Sequence, residues 1–405
     1  MHWVDNSIFV FFIILIVCFG LLKSKKIERN SENFILAGRK LSLPGLIATL
    51  VTTWYGGILG IGENTYQFGI QTWIIFGCPY YIFAILFAFY LIPKIRDTKL
   101  LTIPDHFNLF YGKKTGIISA IYIFVLATPA PYLLSLGILL QYFFQIPLGW
   151  GVILASILSL LYVWNGGLSA VVKTDILQFI FMFVGFILLL VGSWKEFGAP
   201  TLLFSQLPKD LLSPTGGNSI QYIFVWFFIA LWTFVDPGFH QRALAAESRK
   251  TARNGILISI GFWIIFDILT VITGLYAISI LNNPDSLFIY PLLALKVLPI
   301  GLVGIFFVSL FSIIMSTIDS FGLISATTFG RDILWRIETQ RSKRLDPLNH
   351  IKKGLIISTF LSILLVMSIP SVVKLWYTIG SVFIPGLLLP YLFTLFKQKP
   401  NFCFT

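Results

Sequence analysis

Charge is what this chain has least of. Only 11% of its 405 residues are Asp, Glu, Lys or Arg, against 57% hydrophobic ones, and the mean hydropathy is +0.88. Soluble domains are about a quarter charged, so this composition excludes a water-facing globular surface. Cysteine is scarce as well: Cys18, Cys78 and Cys403 are scattered in no metal-ligand spacing, and the four His are dispersed. A disulfide framework or a zinc site is therefore not expected. Low-complexity tracts and linkers are absent. The longest loops, 195–218 and 330–353, are too short for a soluble domain, so residues 1–405 read as one polytopic domain.

Long apolar runs are what the chain does have. A span needs roughly 20 apolar residues to cross about 30 Å of hydrocarbon. About eleven spans follow: 7–23, 43–68 (interrupted), 72–94, 115–144, 148–165, 168–194, 219–238 (interrupted), 254–282, 299–329, 354–369 and 374–396. The first is read as an anchor with its N-terminus outside. Nothing basic precedes it, no small-residue cleavage site follows, and Lys23 and its neighbours come after the run. That orientation puts the C-terminus in the cytoplasm and makes 24–42, 94–114, 166–173, 239–253 and 330–353 cytoplasmic. These segments, with Lys23 and the C-terminus, hold 25 of the 29 Lys and Arg residues; only Lys195, Lys209, Lys296 and Lys374 fall outside. Shifting the span count by one in mid-chain would destroy this split, so it tests both the count and the orientation. The net charge of +12 is then a topological signal. It is not gathered on one face, as a nucleic-acid partner would require.

Setting aside the first span leaves five spans plus five, a first repeat over 43–194 and a second over 219–396. Each five opens on an interrupted helix. Thr52-Thr53-Trp54-Tyr55-Gly56-Gly57 breaks the first, and Trp232-Thr233-Phe234-Val235-Asp236-Pro237-Gly238 breaks the other. Proline removes a backbone donor and glycine weakens the helix. The freed groups are tolerated in a bilayer only where they face protein, water or a ligand. Matching breaks in two halves point to a midplane solute site. Pro129 and Pro131, in mid-span, show that a kink alone need carry no chemistry.

Ionisable groups within spans are functional candidates by default. Glu63, Asp175, Asp236, Asp267 and Asp319 lie in or beside the spans, and no Lys or Arg is expected at mid-depth to pair with them. Such acids imply a metal cation or a proton. Ser316, Asp319 and Ser320 stand at i, i+3 and i+4 and are expected to share a helix face, with Thr317 one step round. Their hard oxygens suit Na⁺. Asp175 lies roughly 12 Å into its helix and Asp319 roughly 16 Å into its own, so the two could meet. Asp267, alone in an apolar helix, is left as a structural partner or a proton site.

Four segments then resemble the sodium:solute symporter family: Phe34-Ile35-Leu36-Ala37-Gly38-Arg39 leading to Leu59-Gly60; Gly166-Gly167-Leu168-Ser169-Ala170-Val171 running into Thr174-Asp175; Trp232 and Asp236 followed by Gln241-Arg242-Ala243-Leu244-Ala245-Ala246; and Met315-Ser316-Thr317-Ile318-Asp319-Ser320 before Arg331-Asp332. The resemblance implies an all-α membrane protein of the LeuT type, with one N-terminal helix plus two inverted five-helix repeats and alternating access. Carried over, it implies a Na⁺ site made by the Ser316 and Thr317 hydroxyls, the Ile313 carbonyl and carbonyls near Leu50 and Thr53. It implies a second cation or proton site at Asp175, Asp319 and Ser320. It implies a solute site at Asp236, Gly56, Gly57, Trp54, Tyr55 and Trp232.

The expected function is Na⁺-coupled symport of a small polar solute across a cell membrane, with Na⁺ as coupling ion and no nucleic acid or obligatory protein partner. The absence of an expected intramembrane Arg favours a neutral polar or cationic solute. Proton-coupled symport and a solute sensor or transceptor on the same fold are the alternatives. No loop holds a paired-acid, His-rich or nucleophile-elbow constellation, so an enzyme is not expected.

Overall fold

The computed structural model describes residues 2–21, 30–98, 100–338, 346–369 and 372–396. The basic residues expected at 23–29, 341–344 and 397–399, with Lys99 and Cys403, lie outside the described residues.

Long apolar helices form wherever a run of more than about 18 apolar residues can close its own backbone hydrogen bonds, as a bilayer demands. They are α1 (Trp3–Leu21), the bent pair α2 (Leu43–Trp54) and α3 (Ile58–Phe68), α4 (Gln71–Asp97), α5 (Lys113–Phe144), α6 (Leu148–Gly166) and α7 (Leu168–Phe197). The second half follows as α8 (Ile220–Ile229), α9 (Pro237–Ala245), α10 (Arg249–Ile280), α11 (Leu302–Glu338), α12 (Leu348–Ser368) and α13 (Val372–Phe396). Counting each broken pair once gives eleven segments among the described residues; ten are long and apolar enough to cross a membrane, and the apolar part of the last, Val382–Phe396, is shorter. Boundaries move by a few residues, because helices run on past the apolar stretch into polar ends. The 299–329 run, for instance, continues to Glu338 through a π-type turn at Thr328–Trp335.

Both expected breaks are present. α2 and α3 meet at 56° across Tyr55, Gly56 and Gly57. In the second half α8 passes through a short tight turn, Ala230–Phe234, before Pro237 restarts the chain as α9. This restart lengthens the segment by seven residues beyond the apolar run, from Gly238 to Ala245. The α6–α7 junction turns at Gly167, whose φ of +51° is open to glycine at little cost. The Pro129–Pro131 region likewise interrupts α5.

Packing brings the two halves together. α11 is the most enclosed long helix, with 89% of its apolar window buried, and it lies against α2, α6 and α7. At the end that carries the basic loops, Leu41 N–H donates to Ala245 O (3.0 Å) and Glu247 N–H to Leu41 O (3.1 Å). Arg96 clamps the same place by donating to the Ala243 and Ala246 carbonyls at 2.6 and 2.9 Å. At the other end Asp5 of α1 accepts from Gly301 N–H (2.8 Å) and Gly304 N–H (2.9 Å), capping the start of α11. The beginnings of α1 and α11 are therefore on one side of the bundle, as an even number of intervening crossings requires.

Candidate functional site

α2 stops at Trp54, which leaves the carbonyls of its last turn without helical partners. The α11 hydroxyls meet that end. Thr317 Oγ1 lies 3.0 Å from Thr53 O and 3.2 Å from the carbonyl of Ile313, one turn back on its own helix. Ser316 Oγ donates to Asp175 Oδ1 at 2.6 Å and also lies 2.9 Å from Thr52 Oγ1. Thr53 Oγ1 lies 3.4 Å from Ser316 Oγ and 3.1 Å from Ser320 Oγ. Leu50, one turn before Thr53, is buried on the same helix. Ser316, Thr317, Asp175 and Ser320 are all buried, and Asp175 Oδ2 has no hydrogen-bond partner. Hydroxyls, a carboxylate and freed carbonyls thus converge where α2, α7 and α11 cross.

Gly56 makes this approach possible. A Cβ at Gly56 would fall 2.5 Å from Thr317 Oγ1 and 2.6 Å from its Cβ, so any side chain there would push the two helices apart. Gly56 therefore belongs to the α2–α11 seam, and Gly57 begins α3 as its N-cap.

Arg242 corrects the expectation that no basic residue reaches mid-depth. On α9 it is only 1% exposed, and its Nη2 donates to Ser320 Oγ at 2.5 Å, Thr49 Oγ1 at 3.2 Å and Thr53 Oγ1 at 3.3 Å. Gln241 holds the guanidinium from behind, accepting from Nη1 at 3.0 Å while donating to Ile35 O. A run-length reading ends the span at Gly238 because His240, Gln241 and Arg242 are polar. The available signal was Pro237: a proline at a helix start implies a further turn or more, and the small residues Ala243, Ala245 and Ala246 suit a buried helix.

A second correction concerns the face shared by Ser316, Asp319 and Ser320. Ser316 and Ser320 face α2, but Asp319, about 100° round the helix from Ser320, turns to α6. There it accepts from Ser159 Oγ at 2.5 Å and from Tyr162 Oη. Asp175 and Ser320 thus share the network that runs through Ser316 and Thr53, whereas Asp319 lies in a separate one and borders a small cavity of about 20 Å³ lined also by Ser156, Ser159 and Thr359.

The residues expected to bind solute divide as well. Asp236, 4% exposed, is the N-cap of α9 and accepts from Phe239 N–H at 2.8 Å. Trp232 lies beside it. Trp54 joins a cluster of rings, with centroids 5.1 Å from Tyr80, 5.7 Å from Phe239 and 5.2 Å from Trp263. Tyr80, Phe239 and Trp263 were missed by the sequence reading, since isolated aromatics in apolar helices carry no positional signal. Trp263 is buried with its ring N–H unpartnered. Tyr55 turns away from this cluster. Its hydroxyl donates to Asp267 Oδ1 (2.9 Å) and approaches Trp263 O (3.0 Å), while Tyr81 donates to Asp267 Oδ2. Asp267 thus anchors the break residue, as a structural partner would.

The sodium:solute symporter family model matches residues 34–402. The chain belongs to the sodium:solute symporter family. Relatives include a sodium/glucose cotransporter of Vibrio parahaemolyticus, 25% identical over 82% of this chain and 69% of the relative. A high-affinity choline transporter of Drosophila melanogaster is 24% identical over 91% of this chain and 62% of its own length, so the chain spans about two thirds of each of these relatives. A solved Na⁺-coupled sialic acid symporter superposes with a TM-score of 0.81 over 97% of this chain and 87% of that one, at 17% identity. That likeness shows the fold, the LeuT-type arrangement expected. The symporter is a multi-pass membrane protein and a Na⁺-coupled secondary transporter of a small solute; its family is one of transporters, not enzymes.

Proposed function

We propose that this symporter carries Na⁺ between the end of α2 and the middle of α11, and its solute between the two helix breaks. The observation that carries the reading is Thr317 Oγ1 within 3.2 Å of both the Thr53 and Ile313 carbonyls. Neutral oxygens of this kind, with the Ser316 hydroxyl and carbonyls of the last α2 turn near Leu50, suit a hard cation. Asp175, bonded to Ser316, lies beside it as a second cation or proton site, while Ser320 is held by Arg242. Asp319 belongs to a separate set with Ser159 and Tyr162.

The solute is a neutral polar or cationic molecule. Trp54, Tyr80, Phe239 and Trp263 offer ring faces that attract sugars and organic cations alike, and Asp236 and Trp232 supply a polar edge. Arg242 donates to Ser320, Thr49 and Thr53 and stands near Asp236, so its charge is met by groups of the protein, which supports the same class despite the buried cation. Glucose and choline, named for the two relatives, are the first solutes to try. The repeats run over 43–194 and 219–396, and the 25-of-29 basic bias supports an N-terminus outside a cell membrane and a cytoplasmic C-terminus. An inward Na⁺ gradient then drives uptake, a charge being worth about 2.3 kcal/mol per 100 mV.

The test is ²²Na⁺ binding to the purified protein, with thermal shifts in Na⁺ against K⁺. The unaltered protein should bind ²²Na⁺ and gain stability in Na⁺. Ser316→Ala/Thr317→Ala should remove both responses, and a double variant that binds Na⁺ unchanged would overturn the assignment. Proteoliposome uptake of labelled choline and glucose, with and without a Na⁺ gradient, separates a transporter from a sensor.

A further inference from the structure

Basic residues at the loop-rich end divide into two kinds. Several are committed within the protein. Arg39 pairs with Glu32, Arg96 holds carbonyls of the α9 end, and Arg331 and Arg336 pair with Asp105 and Asp332. Arg249, Lys250 and Arg253 are not, any more than Lys113, Lys114 and Lys353 are, but the first three line a groove. They occupy the first turns of α10, and among the described residues none forms an ion pair or a side-chain hydrogen bond. Glu247, the acid nearest in sequence, is exposed and accepts from Thr251.

These three cations rim a groove of about 390 Å³ whose wall is apolar: Ala88, Phe89, Ile92 and Pro93 of α4. Phe89 is 49% exposed, and the Arg253 guanidinium stands 5.8 Å from its ring centroid. The groove lies at the boundary where the apolar run of α4 gives way to Lys94 and Arg96, the level of lipid headgroups. It therefore offers three uncompensated positive charges on one side and hydrocarbon contact on the other. A soluble anion uses only the first of these; an anionic phospholipid uses both, with its phosphate at the cations and its acyl chain along Phe89 and Pro93.

We propose that this groove binds an anionic phospholipid of the adjoining leaflet. The site is remote from the Na⁺ and solute sites, and it stands whether or not those assignments do.

Native mass spectrometry of the full chain, with phosphatidylglycerol and phosphatidylcholine of matched acyl chains, tests it. Phosphatidylglycerol should be retained preferentially. Arg249→Gln/Lys250→Gln/Arg253→Gln should weaken it about fivefold for each cation removed, with phosphatidylcholine retention unchanged. The charge-matched variant Lys113→Gln/Lys114→Gln/Lys353→Gln, at the same end of the molecule, should retain it like the unaltered protein. Equal retention of the two lipids, or an equal loss in the control variant, would overturn the proposal. Displacement of phosphatidylglycerol by inorganic phosphate would make the groove a free-anion site and overturn it too. A photoreactive phosphatidylglycerol on the unaltered protein gives an answer independent of the variants. Crosslinks are expected at 88–93 and 249–253, and crosslinks confined elsewhere would count against the groove.

Discussion

A methyl group at Gly56 would meet the Thr317 side chain at 2.5 Å, closer than any ordinary contact, and Thr317 is itself held to two carbonyls. Gly56→Ala should therefore weaken Na⁺ binding by at least roughly tenfold, with about 1–3 kcal/mol of destabilisation from overpacking; ²²Na⁺ titration beside thermal melting measures both. Asp267 carries a different load. Its two oxygens satisfy the Tyr55 and Tyr81 hydroxyls in a buried setting, and losing a partner there leaves polar groups stranded at about 1–3 kcal/mol. Asp267→Ala should lower the melting temperature whether or not Na⁺ is present. A variant with normal stability but no Na⁺ response would show instead that Asp267 takes part in coupling.

Helices were the most legible part of the chain, for a physical reason. A bilayer forces every span to be long and apolar, so run length and basic bias located α1 to α13 almost completely, and proline and glycine located both breaks. Helix ends were less legible, since nothing in an apolar run marks how far a helix continues into polar sequence. That is how Arg242 was assigned to a loop and Asp5 to a tail. Asp5 in fact holds two N–H groups at the start of α11, the bonding that makes an N-cap worth about 1 kcal/mol. Asp5→Ala should destabilise the protein by about that amount in chemical or thermal melts while leaving Na⁺ binding intact. At the candidate site the hydroxyl pair was readable because hydroxyls beside an acid are rare in such helices. Which way Asp319 and Tyr55 point was not, being decided by Ser159, Tyr162, Tyr81 and Asp267, all distant in sequence.

Across the whole molecule, the short helix Ile103–Tyr111 ties the loop-rich end together. Asp105 accepts from Arg336 (2.5 Å) and Arg331 (3.0 Å). Burial alone would raise its carboxyl, but the Arg331 and Arg336 guanidiniums outweigh that and hold it below the usual range. Next to it His106 is buried against Tyr391, and burial pushes its imidazole down to about 4 despite the nearby Asp105. The folded protein thus resists a proton that the unfolded chain takes up near pH 6.5. The neutral ring's contribution is full above that pH and is lost as pH falls towards about 4. His106→Phe, which keeps a ring against Tyr391, should flatten the decline in melting temperature between pH 6.5 and 4; an unchanged decline would place the acid sensitivity elsewhere.

The seam between Gly56 and Thr317 also bears on timing. Contact there leaves no slack, so α2 cannot slide along α11 by degrees: the Thr317 bond to the Thr53 carbonyl and the packing against Gly56 are lost together or kept together. Single-molecule distance records across α2 and α11 should accordingly show two dwell levels joined by abrupt jumps, with Na⁺ lengthening one dwell and adding no third level.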